Sequence, residues 1–368
     1  MKRRFLLSFL FSVLFSFVGH TATITVPDDY TEIQDAIDAA QYGDTVFIRE
    51  GEYWTGSYVG PGYGALYLIT LKEGVNLLGE GSDKTIIEHY GYGWGSYHGP
   101  KALGIYCSGN NTISELNIRA TGYALVMDNQ QGKIAIKNCI IDGIGFYESA
   151  CIIEASTLEI KNNIFHGDTL FFGYNERQSM KIIQNIFIHF DYLHGGYRVG
   201  AHFEGKAYIR NNVFYTYNAN SYSSYFAAYL RPVGNCKFIN NICWSISLDP
   251  HPYAIPADII VSDNSQEESA SLYIDYCNFV TEGITNNSHV INILEGSHNI
   301  SSDPQFIHIP YDLSEVYDFH LLQESPCIDT GSPHFLDKDG SRSDMGAYGG
   351  HKSIKTPNLN SAQLILEE

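Results

Sequence analysis

The sequence predicts an all-β fold, a right-handed parallel β-helix in which successive coils stack their strands into continuous sheets. Three observations predict it. One phrase, an apolar alternation followed by an asparagine and an apolar pair, recurs along residues 117–278. It reads Ile134-Ala-Ile-Lys-Asn-Cys-Ile-Ile141, Leu158-Glu-Ile-Lys-Asn-Asn-Ile-Phe165 and Lys181-Ile-Ile-Gln-Asn-Ile-Phe187, then Tyr208-Ile-Arg-Asn-Asn-Val-Phe214 and Lys237-Phe-Ile-Asn-Asn-Ile-Cys243. Anchored on Asn117, Cys139, Asn163, Asn185, Asn212, Asn241 and Asn278, the steps are 22, 24, 22, 27, 29 and 37 residues, the spacing of a stacked-repeat architecture. Second, the columns alternate. Ile136, Ile160, Ile182, Ile209 and Phe238 stand three before the anchor, and Ile140, Ile164, Ile186, Val213 and Ile242 one after it. The columns between are mostly polar: Lys137, Lys161 and Arg210, then Glu159, Lys181, Tyr208 and Lys237. A period of two is a strand signal. Third, no repeat holds a 3.6-residue period long enough for a crossover helix, so the strands must stack as a coil, with rungs about 4.8 Å apart.

Both apolar columns are expected to face the core, each side chain contributing roughly 1.5–3 kcal/mol. Asparagines stacked one per rung can donate to one neighbour and accept from the other. That spares buried amides a cost of about 1–3 kcal/mol each. A leucine-rich solenoid also carries a periodic asparagine, but it needs leucine where this chain has isoleucine and phenylalanine. Residues 23–350 hold roughly ten such coils.

The elements follow in order. Residues 1–22 read as a secretory signal: Lys2, Arg3 and Arg4, an apolar run from Phe5 to Val18, then small residues ending at Ala22. The run is short for a membrane span, so the expectation is a secreted or cell-surface protein with no membrane attachment after cleavage. Thr31-Glu-Ile-Gln34 has capping-box spacing, and Ile33, Ala36, Ile37 and Ala40 make one apolar helical face, which predicts a helix across the open end of the coil. Gly43 stops it and Thr45–Ile48 opens the first strand. Val75–Ser82 and Thr85–Ile87 read as strands joined by a glycine turn. Residues 301–350 form a closing segment and 351–368 a flexible tail.

The chain carries 22 Lys and Arg against 41 Asp and Glu, a formal charge of −19 that becomes −22 once the signal is removed. So acidic a body argues against nucleic acid and anionic lipid as partners, and a monomer is expected. Seven cysteines are spread through the repeats. Export permits disulfides, their pairing stays open, and Cys139, at the anchor position, reads as a buried structural thiol. The Gly/Tyr-rich stretches 53–67 and 90–97 read as irregular insertions, with aromatics that suit sugar rings or the covering of loops.

The stretch Tyr30-Thr-Glu-Ile-Gln-Asp-Ala-Ile-Asp-Ala-Ala40, Gly43-Asp-Thr-Val-Phe-Ile48 and Gly51-Glu-Tyr53 resembles the N-terminal cap of pectin-lyase-like right-handed parallel β-helix proteins. The turn Leu78-Gly-Glu-Gly-Ser82 is similar to their next rung. Ser301-Ser-Asp-Pro-Gln-Phe306, Ser325-Pro-Cys-Ile-Asp-Thr-Gly331 and the run Asp337–Gly350 resemble the closing segment of secreted bacterial β-helix proteins. The resemblance spans nearly all of residues 24–350. It implies the fold and a flank facing an acidic or neutral polysaccharide. It leaves activity open, because the superfamily holds lyases, hydrolases, esterases and members of unknown role.

The family's catalytic motifs are mostly missing. Arg231-Pro232 is out of frame for the lyase arginine motif. Gly167-Asp-Thr-Leu-Phe-Phe-Gly173 and Tyr229-Leu-Arg-Pro-Val233 echo two esterase motifs through Asp168 and Arg231, without the glutamines and the second aspartate. The rungs themselves offer a candidate. Three residues after the anchor stand Asp142, His166, Ile188, Tyr215 and Trp244, flanked by Lys137, Lys161, Arg210, His189 and Asp191. Asp142, Lys161, His166 and Arg210 are the candidate catalytic set, since β-elimination of a uronate needs a cation on the carboxylate and a base for the C5 proton. Tyr215 and Trp244 are the candidate sugar-binding aromatics. Asp337, Asp339 and Asp344, in a loop bent at Gly340, offer oxygen ligands for calcium, against a metal-free turn in which the carboxylates accept backbone N–H groups. The reading is a secreted β-helix acting on a uronate-containing glycan in lyase-like fashion. The alternative is a non-catalytic carbohydrate-binding or surface-structural protein.

Overall fold

The computed structural model describes residues 21–350 except 56–65, 90–101, 121–122, 144–148, 174–177, 192–197, 219–224, 248–255, 264–268, 282 and 312–315. The expected signal (apart from Thr21 and Ala22), the expected tail 351–368 and most of the Gly/Tyr-rich stretches lie outside the described residues.

Each coil passes through three faces. In one coil these are Asp168–Phe172, Ser179–Ile183 and Ile186–Asp191; in the next, Arg198–Gly205, Ala207–Arg210 and Val213–Asn218; in the third, Tyr225–Pro232, Asn235–Ile239 and Ile242–Ser247. The strands of the coils pair in parallel with their counterparts one coil away, so Ile160, Ile182, Ile209 and Phe238 are successive register partners, while Phe306–His308 and Asp318–Leu321 pair antiparallel. The third faces form a nine-stranded sheet. The first and second faces merge into an 18-stranded one, because Leu125–Lys137 and Ser149–Lys161 run from one face to the other without a break. The architecture is a right-handed parallel β-helix.

Ile136, Ile160, Ile182, Ile209 and Phe238 fill the coil and meet Ile141, Phe165, Phe187 and Phe214 from the third face. Phe165, Phe187 and Phe214 stack with centroids 5.0 and 4.9 Å apart. The column one after the anchor does not join them. Ile140, Ile164, Ile186, Val213 and Ile242 form a separate cluster with Phe306, Phe319, Met345 and Ala347. Adjacent strand residues point to opposite sides, so with Ile141 inside, Ile140 is outside. The outer column is apolar because residues 301–350 cover it.

The residue before each anchor turns the corner between the second and third faces. Asn138, Asn162, Gln184, Asn211 and Asn240 all have φ of 54–57°, a left-handed conformation that asparagine tolerates better than most residues. The anchors then point inward. Nδ2 of Asn163, Asn185 and Asn212 donates to Oδ1 of Asn185, Asn212 and Asn241 at 3.0, 3.0 and 2.9 Å. The same oxygens accept the backbone N–H of the preceding anchor. Asn117 and Asn278 pair with Ile140 and Ile242, so Leu116 and Cys277 hold the anchor position in those rungs.

The first strand is Thr23–Val26, ahead of Thr45–Ile48. Between them the helix Ile33–Ala39 buries Ile33, Ala36 and Ile37 in the main core. Its N-cap is Glu32 and no side-chain cap bond forms. The expected capping box is absent because the Gln34 amide is used elsewhere. Its Oε1 accepts the Thr70 N–H at 2.9 Å, and its Nε2 donates to Asp38 at 2.8 Å. Lys72 Nζ donates to the carbonyls of Asp38 and Ala40 at the helix end, where a cation is favoured.

Residues 301–350 leave the last rung and run back over the third sheet. Asn278 Nδ2 donates to Ser302 O, Ser332 N donates to Asn240 Oδ1, Asn211 Nδ2 to Asp344 O, and Gln184 Nε2 to Gly349 O. A Cβ on Gly346 would meet Ile242 and Val213, so this segment is the outer layer over the outward column. All seven cysteines are free and buried.

Candidate functional site

The first face carries a cluster that the repeat phrase does not include. In the strands Asp168–Phe172, Arg198–Gly205 and Tyr225–Pro232, the residues Phe171, Phe203 and Leu230 are register partners inside the coil. Alternation then turns two columns outward: Leu170, His202, Tyr229 and Ile260, and beside it Phe172, Glu204 and Arg231. Glu204 is only 3% exposed although it sits on the outer side. The backbone closes on it there: Gly173 N donates to Glu204 O at 2.6 Å, and a Cβ on Gly205 would lie 2.2 Å from Gly173 O.

A buried carboxylate needs cations or donors, and its neighbours supply them. Arg231 Nη1 lies 3.4 Å from Glu204 Oε2, and His202 Nε2 lies 4.0 Å from the same oxygen. Tyr229 presents its ring to His202 edge-on at 4.9 Å and lies 5.5 Å beneath the Arg231 guanidinium. Phe172 meets His202 from the opposite rung at 5.4 Å. Burial, and then repulsion by Arg231, lower the His202 imidazole to about 4, so it is neutral at neutral pH. Burial works against the Arg231 cation, but hydrogen bonds and charge from Tyr229 and Glu204 outweigh it and raise its pKa. The Arg231 side chain is 35% exposed. His202 Nε2 and Arg231 Nε have no hydrogen-bond partner among the described residues. One outward patch thus joins a neutral imidazole, a permanent guanidinium and a phenol.

The candidates drawn from the repeat columns fall in two places. Asp142 and His166 do come together, with His166 Nδ1 2.5 Å from Asp142 Oδ1, and Arg119 Nε lies 3.9 Å from the second Asp142 oxygen. Burial pushes the Asp142 carboxyl up, but the charges of His166 and Arg119 and the His166 hydrogen bond outweigh it and hold the pKa low. This pair lies under the C-terminal segment, with Tyr317 OH 2.7 Å from His166 Nε2. Lys161 and Arg210 end second-face strands, across the asparagine corner from that pair. The Arg210 guanidinium stacks 4.1 Å over Phe335. The four residues therefore do not form one constellation. Tyr215 is fully buried and donates to Pro310 O at 2.7 Å. Trp244 stacks on Phe306 at 6.3 Å. Both are outer-column residues packed beneath the fold-back, which removes Tyr215 from contact with a sugar.

Asp168 and Arg231, the two esterase echoes, also separate. Asp168 pairs with the buried His189 at 2.9 Å, on a strand two coils away from that of Arg231. In the acidic loop, Asp337 accepts the N–H groups of Asp344 and Gly350, Asp339 those of Ser341, and Asp344 that of Asp329. Among the described residues no group of three His, Cys, Asp or Glu side chains is placed to hold a metal ion. The loop carboxylates accept backbone N–H groups, as in a turn.

Sequence reading passed over His202, Glu204 and Tyr229. The signal was the alternation Ala201-His-Phe-Glu204 over Ala228-Tyr-Leu-Arg231, which lies outside the asparagine phrase itself.

No family model and no curated protein sequence matches the chain. Among solved structures, the pectin methylesterase PemA from Erwinia chrysanthemi is similar over 72% of this chain and 80% of its own, at 11% identity and a TM-score of 0.37. Pectin methylesterase from carrot is similar over 77% and 90%, at 11% identity and a TM-score of 0.33. The A-module of the Azotobacter vinelandii mannuronan C-5 epimerase AlgE6 is similar over 74% and 95%, at 14% identity and a TM-score of 0.30. What they share with this chain is the parallel β-helix.

Proposed function

We propose that this protein is an exported enzyme that cleaves a uronate-containing polysaccharide by β-elimination, on the outward first face around His202, Tyr229 and Arg231. The observation that carries the reading is the register of His202 and Arg231 on adjacent strands about the buried Glu204. In this reading Arg231 binds the substrate carboxylate and stabilises the negative charge that develops when C5 loses its proton. His202, neutral because of its burial, is the base that takes that proton. The electron pair left at C5 forms the C4–C5 double bond, the C4–O bond breaks, and the Tyr229 hydroxyl protonates the departing sugar oxygen. Glu204 is a positioning residue, fixing the guanidinium beside the imidazole.

Purified full-length chain incubated with polygalacturonate, alginate and other uronate polymers is expected to release an unsaturated uronate, read by its ultraviolet absorbance. A neutral glucan gives no signal. His202→Gln and Arg231→Lys are expected to slow release by about 100-fold or more with the fold retained by circular dichroism. No unsaturated product from any uronate polymer overturns the elimination; binding without product then favours the non-catalytic alternative.

A further inference from the structure

The chain is strongly acidic, yet one of its surfaces is basic. On the second face, register partners run Glu159, Lys181, Tyr208, Lys237 and Tyr273 from coil to coil. Lys181, Lys237 and Tyr273 are exposed and Tyr208 is half-buried. The next outward column adds Lys137 and Lys161, with Arg210 covered by Phe335, and Lys206 stands beside Tyr208. Across the second-face strands from residue 133 to Asp275, the outward acids among the described residues are Glu159, which Lys137 already meets at 3.3 Å, and the buried Asp275, which accepts the Tyr273 hydroxyl at 2.7 Å. Lys137, Lys161, Lys181, Lys206 and Lys237 thus lie on one strip of strands.

The strip also has a repeat. Lysine and tyrosine alternate by rung, so like residues recur every two coils, about 10 Å apart at a rung spacing of about 4.8 Å. An extended polymer along the coil axis would meet charge and ring in turn. Ammonium groups at this spacing suit a chain of carboxylates, and tyrosine faces suit the apolar faces of sugar rings. A phosphate polymer would meet the same lysines, but at greater cost from the surrounding acidic body.

We propose that the outward surface of the second face is a binding site for an anionic polysaccharide, which lies along the coil axis with its carboxylates on Lys181 and Lys237 and its rings against Tyr208 and Tyr273. This site is separate from the first-face cluster and does not depend on its chemistry. It anchors a long polymer by charge and stacking, without a reacting group.

The test is calorimetric titration of the full chain with polygalacturonate and with a neutral glucan of equal length, at low and high salt. The expected result is binding of polygalacturonate that weakens as salt screens the lysines, with none to the glucan. The paired variant Lys181→Glu/Lys237→Glu is expected to weaken binding about tenfold or more, and Lys181→Gln/Lys237→Gln by a smaller factor in the same direction. Tyr208→Ala is expected to weaken it without altering the salt dependence. Unchanged affinity in both lysine pairs overturns the proposal, as does equally tight binding of a single-stranded oligodeoxythymidine. His202→Gln is expected to slow product release by about 100-fold or more while leaving this binding intact, so failure of one reading is distinguishable from failure of the other.

Discussion

The hydroxyl of Tyr317 lies 2.7 Å from Nε2 of His166, joining residues 151 positions apart. It ends a row of charges that climbs the third sheet rung by rung. Glu88, Arg119, Asp142 and His166 are successive register partners, linked at 2.8, 3.9 and 2.5 Å. Cross-strand neighbours of opposite sign stabilise a sheet, and partial burial strengthens each contact. Above His166 the same column turns apolar, through Ile188, Tyr215 and Trp244, where the fold-back segment lies over it. Tyr317 is the point where that segment meets the charged part of the row. Tyr317→Phe keeps the ring and removes one hydrogen bond, so a loss of about 1 kcal/mol is expected in urea denaturation. Turnover of uronate polymer is expected to stay unchanged. A large loss of turnover at wild-type stability would instead place the chemistry on the third face.

The inward amides predict a sharper effect. Asn212 Nδ2 donates to Ile182 O, Arg210 O and Asn241 Oδ1, and its Oδ1 accepts from Asn185. Asn212→Ala strands several fully buried groups at once, for an expected loss of about 2–4 kcal/mol. Asn162, one position outside the same kind of column, is different. It holds φ 57°, so Asn162→Gly is expected to be nearly neutral, whereas Asn162→Val costs about 1–2 kcal/mol in the left-handed conformation. Paired denaturation curves of the three variants separate the amide's contribution from the corner's.

That contrast also shows what the sequence could express. The doubled asparagines at 162–163, 211–212 and 240–241 encode two jobs, a left-handed corner and an inward amide, and the repeat step was legible from them. The side faced by Ile140, Ile164 and Ile186 was not. An apolar pair such as Ile140-Ile141 satisfies either alternation when both sides of the sheet are covered, and the covering comes from residues 301–350, far along the chain. Asp142 and His166 were found because they belong to the same phrase as the anchors. His202 and Arg231 stand on first-face strands, outside the asparagine phrase, and nothing in the phrase marks the carboxylate of Glu204 between them as buried.

The acidic turn gives a prediction in pH. Burial first, then repulsion by Asp337, Asp329 and Asp339, raises the Asp344 carboxyl from 3.8 to about 6. A raised folded value means the protonated form is favoured in the fold. Its stabilising contribution is full below about 4 and is lost as pH rises through about 6. Asp344→Asn keeps an oxygen to accept the Asp329 N–H, bonded at 2.8 Å in the parent, and cannot ionise. The variant is expected to be more stable above pH about 6, by about 1 kcal/mol after discounting for partial exposure. Below pH about 4 it should be indistinguishable from the parent. Thermal melts across that range check both limbs; a gain that persists at low pH would assign the effect to something other than the carboxylate's charge.

The first-face cluster makes its own pH demand, with the opposite sign. His202 is lowered from 6.5 to about 4, so the neutral imidazole is the folded-state form, and its contribution to stability is lost as pH falls from about 6.5 through about 4. A base must be unprotonated to act. The elimination rate is therefore expected to hold on the acid side until pH approaches about 4, with an inflection there and not near 6.5. Arg231→Lys keeps a cation but replaces the broad guanidinium by a single ammonium, with different reach toward Glu204. The repulsion on His202 then changes, and the acid inflection should move along with the rate. Arg231→Ala leaves Glu204 as a buried charge without its guanidinium, at an expected cost of about 3 kcal/mol or more, so Lys is the informative variant. If Arg231→Lys lowers the rate while the inflection stays fixed, the arginine acts on the substrate carboxylate alone. If rate and inflection shift together, imidazole and guanidinium titrate as one unit about Glu204.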